Sequence, residues 1–150
     1  MLDDVDLKII DELIADGRVS LAELGRRVSL SPPAVAERVK RLEQAGVITG
    51  YHAEIDLRKF GYQLTAIVRI KPAPGRLQKI PEIAERLPEV TECHRITGED
   101  CFFLKIQLRA IDELSRVLDR FLDFGETTTS IVNQTPIAER TPPLRLVTTQ

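Results

Sequence analysis

Between Gly25 and Leu42 the chain places Arg26, Arg27, Arg38, Lys40 and Arg41 against a single acid, Glu37. Cationic side chains gathered over so short a stretch are the groups that neutralise phosphates. Ser31-Pro32 sits just ahead of the last three, and a serine followed by proline is a helix start. The hydroxyl of Ser31 suits both the cap and a phosphate. Other chemistry is sparse. His52, His94, Cys93 and Cys101 are the histidines and cysteines. Cys93 and His94 are adjacent and point to opposite faces of a regular strand, and the spacings match no zinc module, so no metal site is expected. Cys93 and Cys101 are read as reduced, semi-buried residues on neighbouring strands, since two cysteines make no disulfide framework and fit a reducing cytoplasm. No phosphate-cradling glycine loop, nucleophile elbow or HExxH run occurs, so neither catalysis nor a cofactor is expected.

The elements that must position the basic residues are helical. Asp3 or Asp4 caps a first helix whose Val5, Ile9, Ile10, Leu13 and Ile14 recur at helical spacing, with Asp6 favourable at its positive end, until Gly17 stops the run. Ser20-Leu21-Ala22-Glu23 fits a capping box, and Leu21, Leu24 and Val28 supply the buried stripe of a second helix. Only Ser29-Leu30 separates it from a third, which runs from Ser31-Pro32 to about Ala45 and stops at Gly46. Two short helices joined so tightly and packed on a preceding one form a helix-turn-helix. Burying Val35, Val39 and Leu42 turns Pro33, Glu37, Lys40, Arg41 and Gln44 outward at 100° per residue, with Ala34 on the flank. That outer face is shaped for a DNA major groove, its N-terminal part meeting base edges and its Lys and Arg side chains meeting phosphates. Arg38 falls nearer the buried boundary, which suits packing or a phosphate contact.

The remaining residues change period. Val47 to Ile55 is rich in β-formers and reads as a strand leaving the bundle, and Asp56 to Gly61 as a hinge. Leu64, Ala66, Val68 and Ile70 then alternate along a strand; Leu77, Ile80, Ile83, Ala84 and Leu87 mark a helix closed by Pro88; Val90 to Ile96 and Phe102 to Leu108 are strands around a Gly98-Glu99-Asp100 turn. Ile111 to Leu122 is a helix ended at Gly125, Thr127 to Thr135 a fourth strand, and Pro136 onward a proline-broken tail. The order β-α-β-β-α-β is the ferredoxin-like split motif. The fold class is therefore α+β, an N-terminal, winged-helix-like helix-turn-helix followed by a ferredoxin-like βαββαβ domain. The divisions are 1–50 for the helices, 51–61 for strand and hinge, and 62–150 for the second domain. Ile67 and Cys93, with Ile131 or Val132 according to register, make the uncovered sheet face apolar, so pairing with a second copy is expected there.

Composition bounds the rest. The chain has 150 residues, 43% hydrophobic and 29% charged, with formal net charge -2. That length buries a core without staples, and no apolar run approaches a membrane span. The net charge gives no global case for nucleic acid; the basic face is local.

Ser29-Leu30-Ser31-Pro32, Glu37-Arg38-Val39-Lys40-Arg41-Leu42-Glu43, Gly46-Val47-Ile48 and Gly50-Tyr51 occur in an order that resembles the Lrp/AsnC (feast/famine) transcription regulators, as do Glu92-Cys93-His94, Thr97-Gly98-Glu99-Asp100 and Thr127-Thr128-Thr129. The resemblance runs from Leu2 to the last strand. It implies an N-terminal domain that binds double-stranded promoter or operator DNA, a C-terminal effector (RAM) domain, and dimers that assemble further into tetramers or octamers. It also implies a small effector, an amino acid or related metabolite, held between effector domains. Carried onto this chain, its site is Gly98, Glu99, Asp100 and Cys101 with Thr127 and Thr129. The family's loop ends in aspartate where this chain has Cys101, one residue after Asp100, and its usual turn glycine is Ser29 here. Two other readings share the architecture. One is a haem-pathway decarboxylase-like enzyme, which needs histidines and cations converging on a tetrapyrrole and finds only His52 and His94. The other is an assembly module whose helix-turn-helix no longer reads DNA.

Overall fold

A computed structural model describes residues 2–146. Three helices open the chain: α1 (Asp4–Ala15), α2 (Leu21–Val28) and α3 (Pro32–Gln44). Asp3 caps α1, accepting from the Asp6 N–H at 2.8 Å while the Asp6 carboxylate accepts from the Asp3 N–H at 3.2 Å. At α2 only half of the expected capping box forms: Ser20 accepts from the Glu23 N–H at 3.1 Å, but the Glu23 carboxylate turns to Arg26 and Arg27. Ile9, Ile10, Leu24, Val28, Val35, Val39 and Leu42 make one buried cluster. Two members of the expected stripes stay outside it, Leu21 and Ile14, both exposed. Leu21 is the first residue of α2, before the helix has turned its face to the core.

The α2–α3 turn is built from two backbone constraints. Ser29 takes the left-handed conformation (φ 59°, ψ 41°), with its N–H on the Arg26 carbonyl, while the Leu30 N–H reaches the Gly25 carbonyl at 2.8 Å. Gly25 is packed so closely under this turn that a Cβ there would lie 2.6 Å from the Leu30 carbonyl oxygen. The turn thus needs no side chain at 25 and tolerates one at 29 at a cost.

Val47 to Ile55 is not a strand. Val47 and Ile48 donate back to the Leu42 carbonyl, and among the described residues Thr49 to Ile55 make no backbone hydrogen bond. The β-forming side chains are present, but a strand needs an edge to pair with, and among the described residues the helical unit has none. A 3₁₀ turn (Leu57–Phe60) follows, closed by Gly61 at φ 88°.

The second unit contains β1 (Leu64–Pro72), α4 (Lys79–Glu85), β2 (Val90–Arg95), β3 (Phe102–Leu108), α5 (Asp112–Asp119) and β4 (Gly125–Ile131). Its antiparallel sheet has the order β2-β3-β1-β4. One face is sealed: Ala66, Val68, Ile70, Leu104, Ile106 and Leu108 are buried with Ile80 and Ala84 of α4 and Val117 of α5. The expected apolar character of the other face is corrected in part by the register: Ile67 lies there, and of the alternatives Ile131 or Val132 it is Val132, one residue past Ile131 with its N–H on the Thr65 carbonyl, that takes the open side. Cys93 pairs with Leu104 and Ile131 with Ala66, which puts both on the helix-covered side. The open face carries Ile67 and Phe103 among Thr65, Arg69, Lys105, Gln107, Glu92, His94, Thr128 and Ser130. Cys93 lies exposed at the β2 edge and Cys101 is half-buried, both as free thiols.

Residues to Glu54, together with the tail from Ala138, form one compact unit, and Ile55–Ile137 the other. The tail was expected within the second domain; its last residues, 147–150, lie outside the described ones. None of the described helices is long and apolar enough to cross a membrane.

The turn geometry fixes two opposite outcomes. Ser29→Gly relieves a left-handed residue and should stabilise the protein by about 1 kcal/mol. Gly25→Ala should destabilise it by about 1–3 kcal/mol, the range for overpacking a close contact. Thermal denaturation of the two variants beside the parent measures both signs.

Candidate nucleic-acid interface and effector loop

The outer face of α3 begins at a capped start. Ser31 accepts from the Ala34 N–H at 3.4 Å, and Pro32 occupies the first helical position, where a missing N–H costs nothing. Val35, Val39 and Leu42 are buried; Pro33, Glu37, Lys40, Arg41 and Gln44 are exposed; Ala34 and Arg38 are half-buried. The structure thus brings Ser31, Pro33, Ala34, Glu37, Arg38, Lys40 and Arg41 onto one side of one helix.

Most of the local cations are already engaged. Arg27 bridges Glu12 at 2.7 Å and Glu23 at 2.8 Å, and Glu23 also holds Arg26. Arg38 Nη1 donates to Asp3 at 2.7 Å and to Asp6 at 2.8 Å, and Arg41 Nη2 donates to both Asp6 oxygens at 2.9 Å. Asp6 is fully buried. Lys40 has no ion-pair partner among the described residues. The hydrogen bond from Arg38, then that from the Asp6 N–H, holds the Asp3 carboxyl below the usual carboxylate range. Arg27 and then Arg26 do the same for Glu23. At the far end of α3, the Tyr51 hydroxyl donates to Glu43 at 2.9 Å, and burial with this bond raises the phenol.

The role of Asp6 was missed in the sequence, where it counted only as an acid at a helix N-terminus. A signal was available. Asp6, Ile9, Ile10 and Leu13 share one helical stripe, and a carboxylate on a buried stripe requires a cation.

The loop between β2 and β3 is tightly wound. Gly98 sits at φ 105° and Cys101 at φ 52°, the Ile96 N–H donates to the Cys101 carbonyl at 2.7 Å, and the Phe102 N–H to the Asp100 carbonyl at 2.5 Å. Asp100 pairs with Arg69 at 3.2 Å and Glu99 with Lys71 at 3.5 Å. Thr127 and Thr129 are not brought beside those carboxylates. Thr129 is opposite Val68, so the two threonines face the helix-covered side, while Thr128, opposite Arg69, faces the side of the ion pairs. Cys101 bridges Ile70, the residue between Arg69 and Lys71, and Thr127 lies beyond it on β4, two strand spacings or about 10 Å away. A groove of about 740 Å³ lies elsewhere, in the first unit, where Ile14, Val47, Tyr51 and Leu144 are among its lining residues. None of the expected effector residues borders it. His94 and Cys93 face opposite sides, His94 against the Phe103 ring at 6.0 Å between centroids.

Residues 2–43 match the model of the AsnC-type helix-turn-helix domain and residues 65–142 that of the Lrp/AsnC ligand-binding domain. The chain belongs to the Lrp/AsnC family. It is 35% identical over 131 residues to the transcriptional regulator LrpC of Bacillus subtilis, covering 87% of this chain and 91% of that one. The solved structure of LrpC superposes with a TM-score of 0.86 over 93% of this chain and 99% of its own. A Neisseria meningitidis transcriptional regulator in complex with L-Met gives 0.89 at 28% identity, over 95% and 97% of the two chains. The feast or famine regulatory protein of Mycobacterium tuberculosis complexed with L-methionine gives 0.86 at 35% identity, over 94% and 98%. These relatives of the Lrp/AsnC family are regulators of transcription, and the architecture of this Lrp/AsnC chain is theirs from the first helix to the last strand.

The ion pairs of α1 and α2 carry an acid dependence. A carboxyl whose folded value is depressed stabilises the fold above its ordinary range, and that contribution is lost as pH falls through the folded value. Melting temperature should therefore drop on acidification below about pH 4. Asp3→Asn should flatten that drop relative to the parent, as followed by thermal melts across an acid pH series.

Proposed function

We propose that this Lrp/AsnC protein is a sequence-specific, DNA-binding transcriptional regulator in which residues 1–50 read duplex DNA, 51–61 form a hinge, and 62–150 assemble the protein and sense a small metabolite. The observation that carries the reading is the outer face of α3: Pro33, Glu37, Lys40 and Arg41 exposed in a row on a helix whose other side is locked into the bundle. Ala34 and Glu37, near the N-terminal end, take the position of base readers. Lys40 and the free edges of Arg38 and Arg41 take that of phosphate contacts, with Ser31 at the cap. One such helix neutralises few phosphates, so binding depends on two copies meeting successive major grooves, about 34 Å apart. Exposed Leu57, Phe60, Ile111 and Leu122 of the second unit give a second copy apolar surface to cover, and dimers built there extend to tetramers or octamers. The protein acts in the cytoplasm, without a cofactor and without catalysis.

The effector is an α-amino acid or a close relative. At the β2–β3 loop Asp100 accepts its ammonium, in competition with Arg69, and Arg69 and Lys71 attract its carboxylate. Thr127 and Thr129 lie too far across the sheet to complete that site within one chain, which fits a ligand held between copies.

The test begins with selection of short duplexes from a randomised pool. A recovered duplex should bind with a steep salt dependence, and absence of any retained duplex at low salt overturns the reading. Lys40→Ala should weaken the recovered and a scrambled duplex alike and make the salt slope shallower by about one. For the effector, a thermal-shift screen of the amino acids should find at least one that raises the melting temperature. Asp100→Asn should abolish that shift while leaving DNA affinity within about twofold.

A further inference from the structure

Among the described residues Asp6 is the buried ionisable side chain of the first unit, at 0% exposure. Capping does not require its burial, since the cap is made by the exposed Asp3 and needs only the Asp6 N–H and one oxygen. Its carboxylate is turned toward α3 instead. Oδ1 accepts from Arg38 Nη1 and Arg41 Nη2, and Oδ2 accepts from Arg41 Nη2 again. The two arginines stand three residues apart, about one turn of α3, and a single carboxylate holds both. Each uses one nitrogen of its guanidinium. Arg38 Nε and Nη2, and Arg41 Nε and Nη1, make no hydrogen bond among the described residues, although the Arg41 side chain is 55% exposed.

We propose that Asp6 is a positioning residue for DNA recognition: it fixes the guanidinium groups of Arg38 and Arg41 side by side at the edge of α3, with their unused N–H edges presented to the phosphate backbone. The inference rests on the DNA-binding reading above. An unclamped arginine gives up rotamer freedom when it meets a phosphate; a clamped one has given it up on folding. The fork geometry then matches a phosphate without rearrangement. Asp6 also cancels positive charge close to the DNA face, and the two effects have opposite signs, which makes them separable. Loss of the clamp weakens binding, whereas loss of the negative charge strengthens it.

The experiment compares the parent and Asp6→Asn on the selected duplex and on a scrambled duplex across a salt series, at a temperature where circular dichroism shows both proteins folded. Positioning predicts about tenfold weaker binding to the selected duplex, a smaller fall on the scrambled one, and a salt slope no steeper than the parent's. Unchanged or tighter binding, or a slope steeper by one to two, overturns the proposal and makes Asp6 a quencher of charge. A role confined to stability lowers the melting temperature and leaves the ratio of selected to scrambled affinity where it was, which also overturns it. Arg38→Lys, which keeps charge but loses the fork, should cost affinity in the parent and little in the Asp6→Asn background. If Asp6→Asn does not fold, Asp3→Asn serves, since Asp3 is exposed and touches Arg38 alone of the pair. It should bind the selected duplex more weakly by a few-fold, and tighter binding overturns the proposal. Failure of the parent itself to bind any duplex would sink the regulatory reading as well, so the two failures are told apart by the parent lane.

Discussion

Val35, Val39 and Leu42 leave water against Ile9, Ile10, Leu24 and Val28, and each contributes roughly 2 kcal/mol of burial before chain entropy is set against it. Every angular statement about α3 follows from that seam. With the apolar side committed, Glu37, Lys40 and Arg41 have nowhere to go but outward, and Arg38 is left on the boundary. The turn before α3 serves the same end. Gly25 lets the Leu30 carbonyl approach the back of α2, and Ser29 accepts a left-handed backbone so that α3 starts at the angle the seam requires.

The sheet in the second unit follows a different logic. One face is dry and makes the fold; the other carries pairs between solvent-reached charges, Lys105 with Glu92, Arg69 with Asp100 and Lys71 with the exposed Glu99. Such pairs contribute little stability when solvent reaches them. Their consequence is connectivity. The β2–β3 loop is not an isolated hairpin tip, because both of its acids are tied to β1, the strand that touches β3 on one side and β4 on the other. On the function proposed above, a ligand that took Asp100 from Arg69 would change the charge presented by the sheet face, not only the loop.

Much of this was legible in the chain because periodicity and burial coincide. The α1, α2 and α3 helices, the βαββαβ order and the inward set of α3 follow from apolar spacing alone. The misses have a common cause, which is that spacing does not say what an element packs against. Val47 to Ile55 has strand composition but no edge beside it. Cys93 and Ile131 alternate correctly, yet their face depends on register, which a one-residue shift inverts. Thr127 and Thr129 come from the family resemblance rather than from spacing, and within one chain their side of the sheet is the one opposite the Asp100 ion pair. Asp6 was readable in principle from its place on the buried stripe of α1, but its partners lie more than thirty residues away and only packing reveals them.

Charge pairing explains how a chain of net charge -2 can carry the basic face of α3. Arg26 and Arg27 are paired with Glu23 and Glu12, and Arg38 and Arg41 with Asp3 and Asp6, so three of the acids near the N-terminus, Asp3, Asp6 and Glu12, are counter-charges of the basic face. The result is a face with little free positive charge and much fixed geometry. Free charge binds any duplex; fixed geometry binds where phosphates and base edges fall in the right places. On the function proposed above, a single subunit built this way would hold nonspecific DNA weakly, and useful occupancy would come from several helices engaged at once, where each added contact is intramolecular. On that same function, control of assembly would be control of DNA binding, and a metabolite bound in the second unit would need no contact with α3.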